Sequence, residues 1–144
     1  MENSSDMIKL YNTLTGKKEE FVPVTPGKVS IYACGVTVYD LSHIGHARGA
    51  VAFDVIQRYF RRRGYQVKYV RNFTDVDDKI INRAKEEGIT AAEVARKYIE
   101  AYQEDMKRLG VSRADVEPLA TDHIREMIEV IRRLVEKGHA YAVD

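Results

Sequence analysis

Two histidines and two glycines lie in one short stretch of the chain, and their types and spacing suit the binding of a nucleotide. His43 and His46 are three residues apart, close enough to act on one ligand. Gly45 and Gly49 are four apart, so on a helix they would leave one face bare, where a planar base could approach the backbone. A helix amino terminus also presents unpaired N–H groups that favour a phosphate. The stretch predicts a nucleotide platform with two hydrogen-bond donors.

The same residues have structural alternatives. The histidines could cap a helix or lie on the surface, and the glycines could allow tight packing of a helix on a strand. Cys34 lies just before them, at the end of an apolar run. A lone cysteine there is more often a small buried apolar residue than a metal ligand.

Two charged clusters also have a functional and a structural interpretation. Asp75, Asp77 and Asp78 could suggest a metal site, but they lack the turn glycine and distal glutamate of a calcium loop, so we interpret them as carboxylates at a helix start. The densest basic stretch has tyrosines between its cations. A solvated helix end is the default interpretation, and contact with a nucleic-acid backbone is the alternative. Its cations are Arg58, Arg61, Arg62, Arg63, Lys68 and Arg71.

The elements that position these residues begin with a strand, a helix and a second strand. Residues 29–34 are β-branched and aromatic and predict a buried strand. A helix follows, ending at Arg61-Arg62-Arg63 and Gly64, and residues 65–73 predict the second strand. Such a βαβ unit has parallel strands and a right-handed crossover. The predicted inward-facing stripe of this helix is Ala52, Val55, Ile56, Tyr59 and Phe60.

The flanking segments predict a small hairpin and three further helices. Residues 7–22 contain a Thr15-Gly16 turn between two short extended runs, which predicts an edge hairpin. Residues 77–87 predict a helix stopped by Gly88, and Thr90 to Glu93 form a capping box that starts the next one. The inward stripe of that helix is Val94, Tyr98, Tyr102, Met106 and Leu109. The last helix, 122–137, has a stripe of Ile124, Ile128, Ile131 and Val135, and residues 140–143 predict another strand.

Composition narrows the class of protein. At 144 residues with 44% hydrophobic and 31% charged residues, we expect one globular α/β domain with a parallel sheet that needs more than two strands. The 23 Lys and Arg nearly cancel the 22 Asp and Glu, so net charge favours no polyanionic partner. One cysteine excludes an internal disulfide and favours the cytoplasm, and no apolar run is long enough to cross a membrane.

Six segments together resemble one enzyme family. His43-Ile44-Gly45-His46 is similar to the HIGH motif of class I aminoacyl-tRNA synthetases. Its companions are Tyr11-Asn12-Thr13-Leu14-Thr15, Cys34-Gly35-Val36-Thr37-Val38-Tyr39-Asp40 and Asn72-Phe73-Thr74-Asp75-Val76-Asp77-Asp78-Lys79. With Glu117-Pro118-Leu119-Ala120-Thr121 and Gly138-His139-Ala140-Tyr141 they resemble cysteinyl-tRNA synthetases along nearly the whole chain.

The resemblance implies a fold, an activity and a set of site residues. The fold would be the Rossmann-like (HUP-type) nucleotide-binding fold, of which residues 1–144 would be the amino-terminal half of the catalytic domain. The activity would be the activation of L-cysteine with ATP and Mg²⁺, followed by transfer to tRNA(Cys). His43 and His46 would be catalytic and, with Ile44, Gly45 and Gly49, would bind ATP. Gly35, Thr37, Asp40 and Thr74 would contact the substrate, and Cys34 would be a ligand of a zinc ion that binds the cysteine thiolate.

The chain departs from this family in its length. The connective insertion, three further zinc ligands, the Lys-Met-Ser-Lys-Ser loop and the helical tRNA-binding domains have no counterpart in it. We therefore expect a truncated form with impaired or lost activity, whose exposed sheet edges promote self-association. Two alternatives stay open: the related cysteine:aminosugar ligase of mycothiol synthesis, and a non-catalytic nucleotide- or RNA-binding module.

Overall fold

A parallel pair of strands joined by a long helix forms the centre of the fold. The computed structural model describes residues 7–143. Strand β3, Lys28–Ala33, pairs in parallel with β4, Gln66–Arg71, from Lys28 opposite Gln66 to Ala33 opposite Arg71. Helix α1, Ile44–Arg62, connects them. The predicted βαβ unit and its parallel strands are confirmed, and the handedness of the crossover stays a prediction.

An irregular extended segment, residues 115–119, lies along the other side of β4. Val116 forms a parallel bridge with Val70, and Leu119 forms one with Phe73. The N–H of Arg71 donates to the carbonyl of Val116 at 3.0 Å. Among the described residues the parallel sheet has two strands, not the larger number expected, and this segment adds isolated bridges rather than a third strand. The sequence did not identify the segment as extended. Pro118 lacks an N–H and interrupts the apolar pattern that would have revealed it.

A separate antiparallel hairpin precedes the parallel sheet. Strand β1, Lys9–Asn12, pairs with β2, Lys17–Glu20, around a turn in which Gly16 has a φ of 69°. The predicted hairpin is confirmed, but among the described residues it forms its own sheet and is not the edge of the parallel one. Phe21, just after β2, packs edge-on against Phe60 with ring centroids 4.9 Å apart, which fastens the hairpin to α1.

Two helices after β4 enclose the main core. Helix α2, Asp78–Glu87, begins at the cap Asp77 and ends at Gly88, and α3, Ala91–Arg108, begins with the predicted capping box of Thr90 and Glu93. The core residues they share with the βα loops are Val38, Phe73, Ile80, Val94, Tyr98, Tyr102 and Met106. The predicted stripe of α3 is confirmed apart from Leu109, which is 53% exposed because α3 ends at Arg108 and the chain turns away.

The predicted inward face of α1 is wrong. Val55, Ile56 and Tyr59 are exposed, as is Ala52, and of that stripe only Phe60 is buried. The buried face instead carries Ala50, Asp54 and Gln57. Asp54 accepts from the N–H of Ser112 at 3.0 Å and from Arg58 Nε at 2.7 Å. These bonds satisfy the buried carboxylate, so a polar face points inward and an apolar face points out.

The last helix is placed as predicted but its apolar face is not covered. Helix α4, Ile124–Glu136, follows a 3-10 turn at Thr121–His123, and none of its residues is buried. Its predicted inward residues Ile124, Ile128, Ile131 and Val135 are all exposed. Residues 140–143 do not form the expected strand, because no strand among residues 7–143 pairs with them. Between residues 7 and 143, no helix has both the length and the apolar character needed to cross a bilayer.

Candidate functional site

The histidine pair forms the first turn of α1. His43 is the N-cap, and its Nδ1 accepts from the N–H of Gly45 at 3.0 Å. His46 reaches back, and its Nδ1 accepts from the N–H of His43 at 3.3 Å. The two rings stack with their centroids 3.9 Å apart and 23° between their planes. Capping, which the sequence offered as an alternative to ligand binding, is therefore a role that both histidines fill.

Capping does not prevent these rings from donating to a ligand. A neutral imidazole whose Nδ1 accepts a hydrogen bond carries its proton on Nε2, so each ring keeps one N–H donor on the side away from the helix backbone. Burial lowers the pKa of His46, and the charges of His43 and Arg71 lower it further. A lowered pKa keeps the His46 ring neutral near pH 7 and preserves the tautomer that the cap requires.

The two glycines differ in their surroundings. A Cβ at Gly45 would lie 2.8 Å from Cε1 of His43, so a side chain there would displace the ring. A Cβ at Gly49 would meet no atom within 4 Å. Tight packing of helix on strand, the structural alternative, therefore does not explain Gly49. The helix face beside Gly49 is open, as a nucleotide platform needs.

Gly35, Thr37 and Thr74 meet where β3 and β4 end. Thr37 forms a parallel bridge with Thr74, and the N–H of Val38 donates to the carbonyl of Thr74 at 3.2 Å. The N–H of Gly35 donates to Oδ1 of Asn72 at 2.8 Å, and a Cβ at Gly35 would lie 1.4 Å from the carbonyl oxygen of Asn72. Ligands of open parallel sheets bind at this end of the strands.

Asp40 has a structural partner. Its Oδ2 accepts from a terminal nitrogen of Arg83 at 2.9 Å, and Arg83 Nε donates to the carbonyl of Tyr39 at 3.2 Å. This pair fastens the loop before α1 to helix α2. The carboxylate of Asp40 is therefore already paired within the protein.

Cys34 is exposed, which excludes the buried apolar role that its sequence position suggested. Its thiol lies at the end of β3, with Sγ 3.7 Å from the carbonyl oxygen of Gly35. Within residues 7–143 no three His, Cys, Asp or Glu side chains are grouped so that they could hold a metal ion. Cys34 is thus an accessible thiol without a second ligand in this part of the chain.

The aspartate cluster serves structure, as interpreted from the sequence. Asp77 caps α2, its Oδ1 accepting from the N–H of Lys79 at 2.9 Å, and Asp78 lies in the first turn of that helix. Asp75 accepts from the N–H of Thr121 at 3.0 Å and so holds the segment that follows residues 115–119.

Much of the basic stretch is engaged within the protein. Arg58 binds Asp54 and also donates to the carbonyl of Gly110 at 2.8 Å. Arg61 donates to Gln57 at 2.8 Å and pairs with Asp115 at 3.3 Å. The interpretation as a solvated helix end is therefore wrong for these two arginines, because they connect α1 to the loop after α3 through hydrogen bonds and an ion pair.

Sequence reasoning missed two residues of the site. Arg71, at the end of β4, is close enough to lower the pKa of His46, and Asn72 holds Gly35 through its side chain. Arg71 had been grouped with the basic stretch, and Asn72 had been noted only within a motif. Their position at the carboxyl end of the second predicted strand was the available signal.

Comparison with known proteins matches the chain to one family. Residues 20–144 match the family described as tRNA synthetases class I (C) catalytic domain. The chain is 61% identical over 137 residues to the cysteine–tRNA ligase of Thermodesulfovibrio yellowstonii and 60% identical over 137 residues to that of Aquifex aeolicus. In both cases the match covers 95% of this chain and 28% of the relative. The chain therefore spans less than a third of the length of these curated relatives.

A solved structure shares the fold. Methionyl-tRNA synthetase of Mycobacterium tuberculosis, in complex with methionyl-adenylate, superposes with a TM-score of 0.68 at 26% identity, over 76% of this chain and 22% of that one. The Rossmann-like class I fold implied by the resemblance is confirmed. The chain belongs to the family of class I (C) tRNA synthetase catalytic domains.

Proposed function

We propose that this chain is the nucleotide-binding part of a cysteine–tRNA ligase. Such an enzyme joins L-cysteine to ATP, with Mg²⁺, to form cysteinyl-adenylate, and then transfers the cysteine to tRNA(Cys). The observation that carries the proposal is the stacked pair of His43 and His46 at the start of α1, in which each Nδ1 accepts a backbone hydrogen bond and Nε2 is left as the donor of a neutral ring. The identity of 61% to a protein named cysteine–tRNA ligase supports this activity over the two alternatives.

His43 and His46 would act as fixed hydrogen-bond donors. Attack of the cysteine carboxylate on the α-phosphorus of ATP expels pyrophosphate and adds negative charge to the phosphate oxygens. Two Nε2–H groups held by the capping box would meet that charge without reorganising, and the amino terminus of α1 would add to the field. Ile44, Gly45 and Gly49 would form the rest of the ATP platform, the base lying over the open face at Gly49.

The amino acid would lie at the ends of β3 and β4. Thr74, Thr37 and the backbone of Gly35 would contact it, because the bridge between Thr37 and Thr74 places them together there. Asp40 would act from the rim, since Arg83 already holds its carboxylate.

Zinc fits this chain only in part. A zinc ion in a protein takes three or four protein ligands, and residues 7–143 offer the exposed Cys34 without a group of three. We infer that Cys34 is one ligand of an ion whose other ligands lie outside residues 1–144. When bound, zinc would hold the cysteine thiolate and exclude serine. No step of the chemistry above depends on it.

We assign residues 1–144 to the amino-terminal half of the catalytic domain. The partners of the whole enzyme would be ATP, L-cysteine and tRNA(Cys), in the cytoplasm where tRNAs are charged. Tested by themselves, residues 1–144 should turn over slowly or not at all, because they contain no Lys-Met-Ser-Lys-Ser sequence to hold the phosphates from the other side.

A chimera tests this function directly. Residues 1–144 would replace the matching part of the T. yellowstonii enzyme, and cysteine-dependent ATP–pyrophosphate exchange would be measured with serine as the control amino acid. We expect exchange with cysteine and not with serine, and a loss of about a hundredfold or more with His46→Ala. The matched control is His123→Ala, outside the site.

The acceptor separates the remaining candidates. Transfer of cysteine to tRNA(Cys) supports the ligase, whereas transfer to an aminosugar would identify the mycothiol-type enzyme. A folded chimera that binds ATP but supports no ATP–pyrophosphate exchange would contradict the proposal. The non-catalytic binding module would then be the remaining alternative.

A further inference from the structure

The register between the two central strands changes where they end. Ala33 and Arg71 are the last pair of the β3–β4 ladder, and Thr37 then forms a bridge with Thr74. Three residues lie between Ala33 and Thr37, whereas two lie between Arg71 and Thr74. The β3 side therefore carries one extra residue, a bulge. Bulges are frequent beside functional sites, where they redirect the side chains around them.

Gly35 has no backbone partner at this bulge. The N–H of Gln66 donates to the carbonyl of Gly27, which sets the alternation of hydrogen bonds along the ladder. If that alternation continued, the N–H of Gly35 would donate to the backbone carbonyl of Asn72. That carbonyl oxygen lies instead where a side chain would begin, since a Cβ at Gly35 would be 1.4 Å from it. The N–H of Gly35 therefore needs another acceptor.

The side chain of Asn72 supplies that acceptor. Its Oδ1 accepts from the N–H of Gly35 at 2.8 Å, in partly buried surroundings. Two residues further on, the N–H of Thr74 donates to the carbonyl of Val36 at 3.0 Å. Asn72 and Thr74 thus fix two successive points of one short segment. Without the Asn72 oxygen, the first of these points would be lost and the N–H of Gly35 left unpaired.

The segment that Asn72 holds is part of the proposed amino-acid site. It begins at Cys34, whose exposed thiol has its Sγ 3.7 Å from the carbonyl oxygen of Gly35. It ends at Thr37, which forms the bridge with Thr74. A displacement of about 1 Å in a group that contacts a substrate can reduce the rate about a hundredfold. The hydrogen bond from Gly35 to Asn72 therefore controls where these groups lie relative to a ligand.

We propose that Asn72 is a positioning residue for the amino-acid substrate. Its side-chain oxygen fixes the extra residue of β3 and, through Gly35, the spacing between Cys34 and Thr37. This inference rests on the proposed cysteine–tRNA ligase activity. Because the proposed donors to ATP lie on α1, loss of the Asn72 oxygen should weaken the binding of cysteine and leave the binding of ATP unchanged.

Hydrogen exchange in the 144-residue chain tests the bond itself. Asn72→Ala removes the acceptor, and we expect the N–H of Gly35 to exchange about tenfold faster, as loss of one hydrogen bond predicts. The N–H groups of Thr74 and Val38 donate to backbone carbonyls, so they are internal controls and should keep their rates. Asn72→Asp keeps an oxygen acceptor and should keep the exchange of Gly35 slow. Equal Gly35 rates in Asn72→Ala and the unsubstituted chain would overturn the proposal.

Kinetics of the chimera with the T. yellowstonii enzyme test the role of this bond. In ATP–pyrophosphate exchange, Asn72→Ala should raise the KM for cysteine about tenfold and leave the KM for ATP within about twofold of its original value. Asn72→Asp should restore the KM for cysteine. Asn12→Ala is the matched control, because the side chain of Asn12 also accepts from a backbone N–H, that of Leu14 at 3.0 Å, in the β1–β2 hairpin. It should change neither KM.

Failure of this inference differs from failure of the proposed function. An active chimera in which Asn72→Ala leaves the KM for cysteine unchanged, or raises the KM values for cysteine and ATP alike, overturns the inference and leaves the ligase function standing. A folded chimera without cysteine-dependent exchange overturns the function, and the inference with it. If Asn72→Ala fails to fold, Asn72→Asp decides. Slow exchange of Gly35 with an unchanged KM for cysteine supports the positioning role, and a KM about tenfold higher overturns it.

Discussion

The imidazole of His46 accepts a hydrogen bond from the backbone N–H of His43, and the ring of His43 in turn accepts from the N–H of Gly45. The two rings therefore both accept from backbone N–H groups of the first turn of α1. Their centroids are 3.9 Å apart, and this stacking fixes the orientation of both rings. The same two side chains thus cap α1 and supply the pair of donors proposed for ATP. A change that protonates or removes either ring should affect stability and binding together.

The pH dependence of stability tests this coupling. Because the folded pKa of His46 lies below its unfolded value of about 6.5, the unfolded chain binds the proton first as pH falls. The cap's stabilisation should be complete above pH 6.5 and should be lost as pH falls through the lowered folded pKa. His46→Asn keeps an acceptor near Nδ1 and does not titrate, so the melting temperature of this variant should fall less over the same window. Parallel curves for the two proteins would contradict the coupling.

Gly35→Ala should be severely destabilising. Its Cβ would lie 1.4 Å from the backbone oxygen of Asn72, so the ends of β3 and β4 would have to separate. We expect a loss of more than about 3 kcal/mol in unfolding free energy, measured by urea denaturation. The matched control, Gly49→Ala, meets open space within α1 and should gain about 0.5–1 kcal/mol while obstructing the platform. Similar losses at both positions would contradict this account.

The buried carboxylate of Asp54 should contribute more than a surface ion pair. Asp54→Ala would leave the N–H of Ser112 and Nε of Arg58 without their acceptor. We expect a cost of about 2 kcal/mol or more. Glu129→Ala, which breaks an exposed pair with Arg132 on α4, should cost less than about 0.5 kcal/mol. Chemical denaturation of the two variants side by side measures the difference, and equal costs would show that the polar face of α1 is not what anchors it.

Self-association should be measurable by sedimentation. Among the described residues β3 pairs only with β4, which leaves its other edge open, and Tyr32 on this strand is 66% exposed. We expect dimers that increase with concentration, and fewer of them with Tyr32→Lys, because lysine on an edge strand opposes pairing. Tyr141→Lys, at an exposed position outside the sheet, is the control. A clean monomer at all concentrations would count against the prediction.

Features set by neighbouring residues could be predicted from the sequence. The capping box of Thr90 and Glu93 and the stop at Gly88 are local, and both were located correctly. The position of His43 and His46 at a helix start was also correct, because a strand end and a helix stripe enclose them. That the same rings both cap and keep a donor was not foreseen, since the sequence does not reveal which ring nitrogen faces the backbone.

Features set by distant residues could not be predicted. The inward face of α1 depends on the hydrogen bond between Asp54 and Ser112, which are 58 residues apart. The sequence pattern therefore predicts that the apolar stripe of α1 faces the core, whereas the structure has it on the surface. The extended segment at 115–119 is identified only by its bonds to β4. The apolar face of α4 satisfied the helical pattern, yet nothing among residues 7–143 buries it.

The histidine side chains offer the most direct test of the central claim. The chain holds four histidines, of which His123 and His139 lie outside the proposed site. A non-hydrolysable ATP analogue with Mg²⁺ would be titrated into ¹⁵N-labelled chain while the Nε2 resonances of all four rings are followed. We predict protonated Nε2 in His43 and His46 before addition and saturable shifts of those two alone. No shift, or equal shifts in all four rings, would contradict the assignment of this pair as the ATP-binding donors.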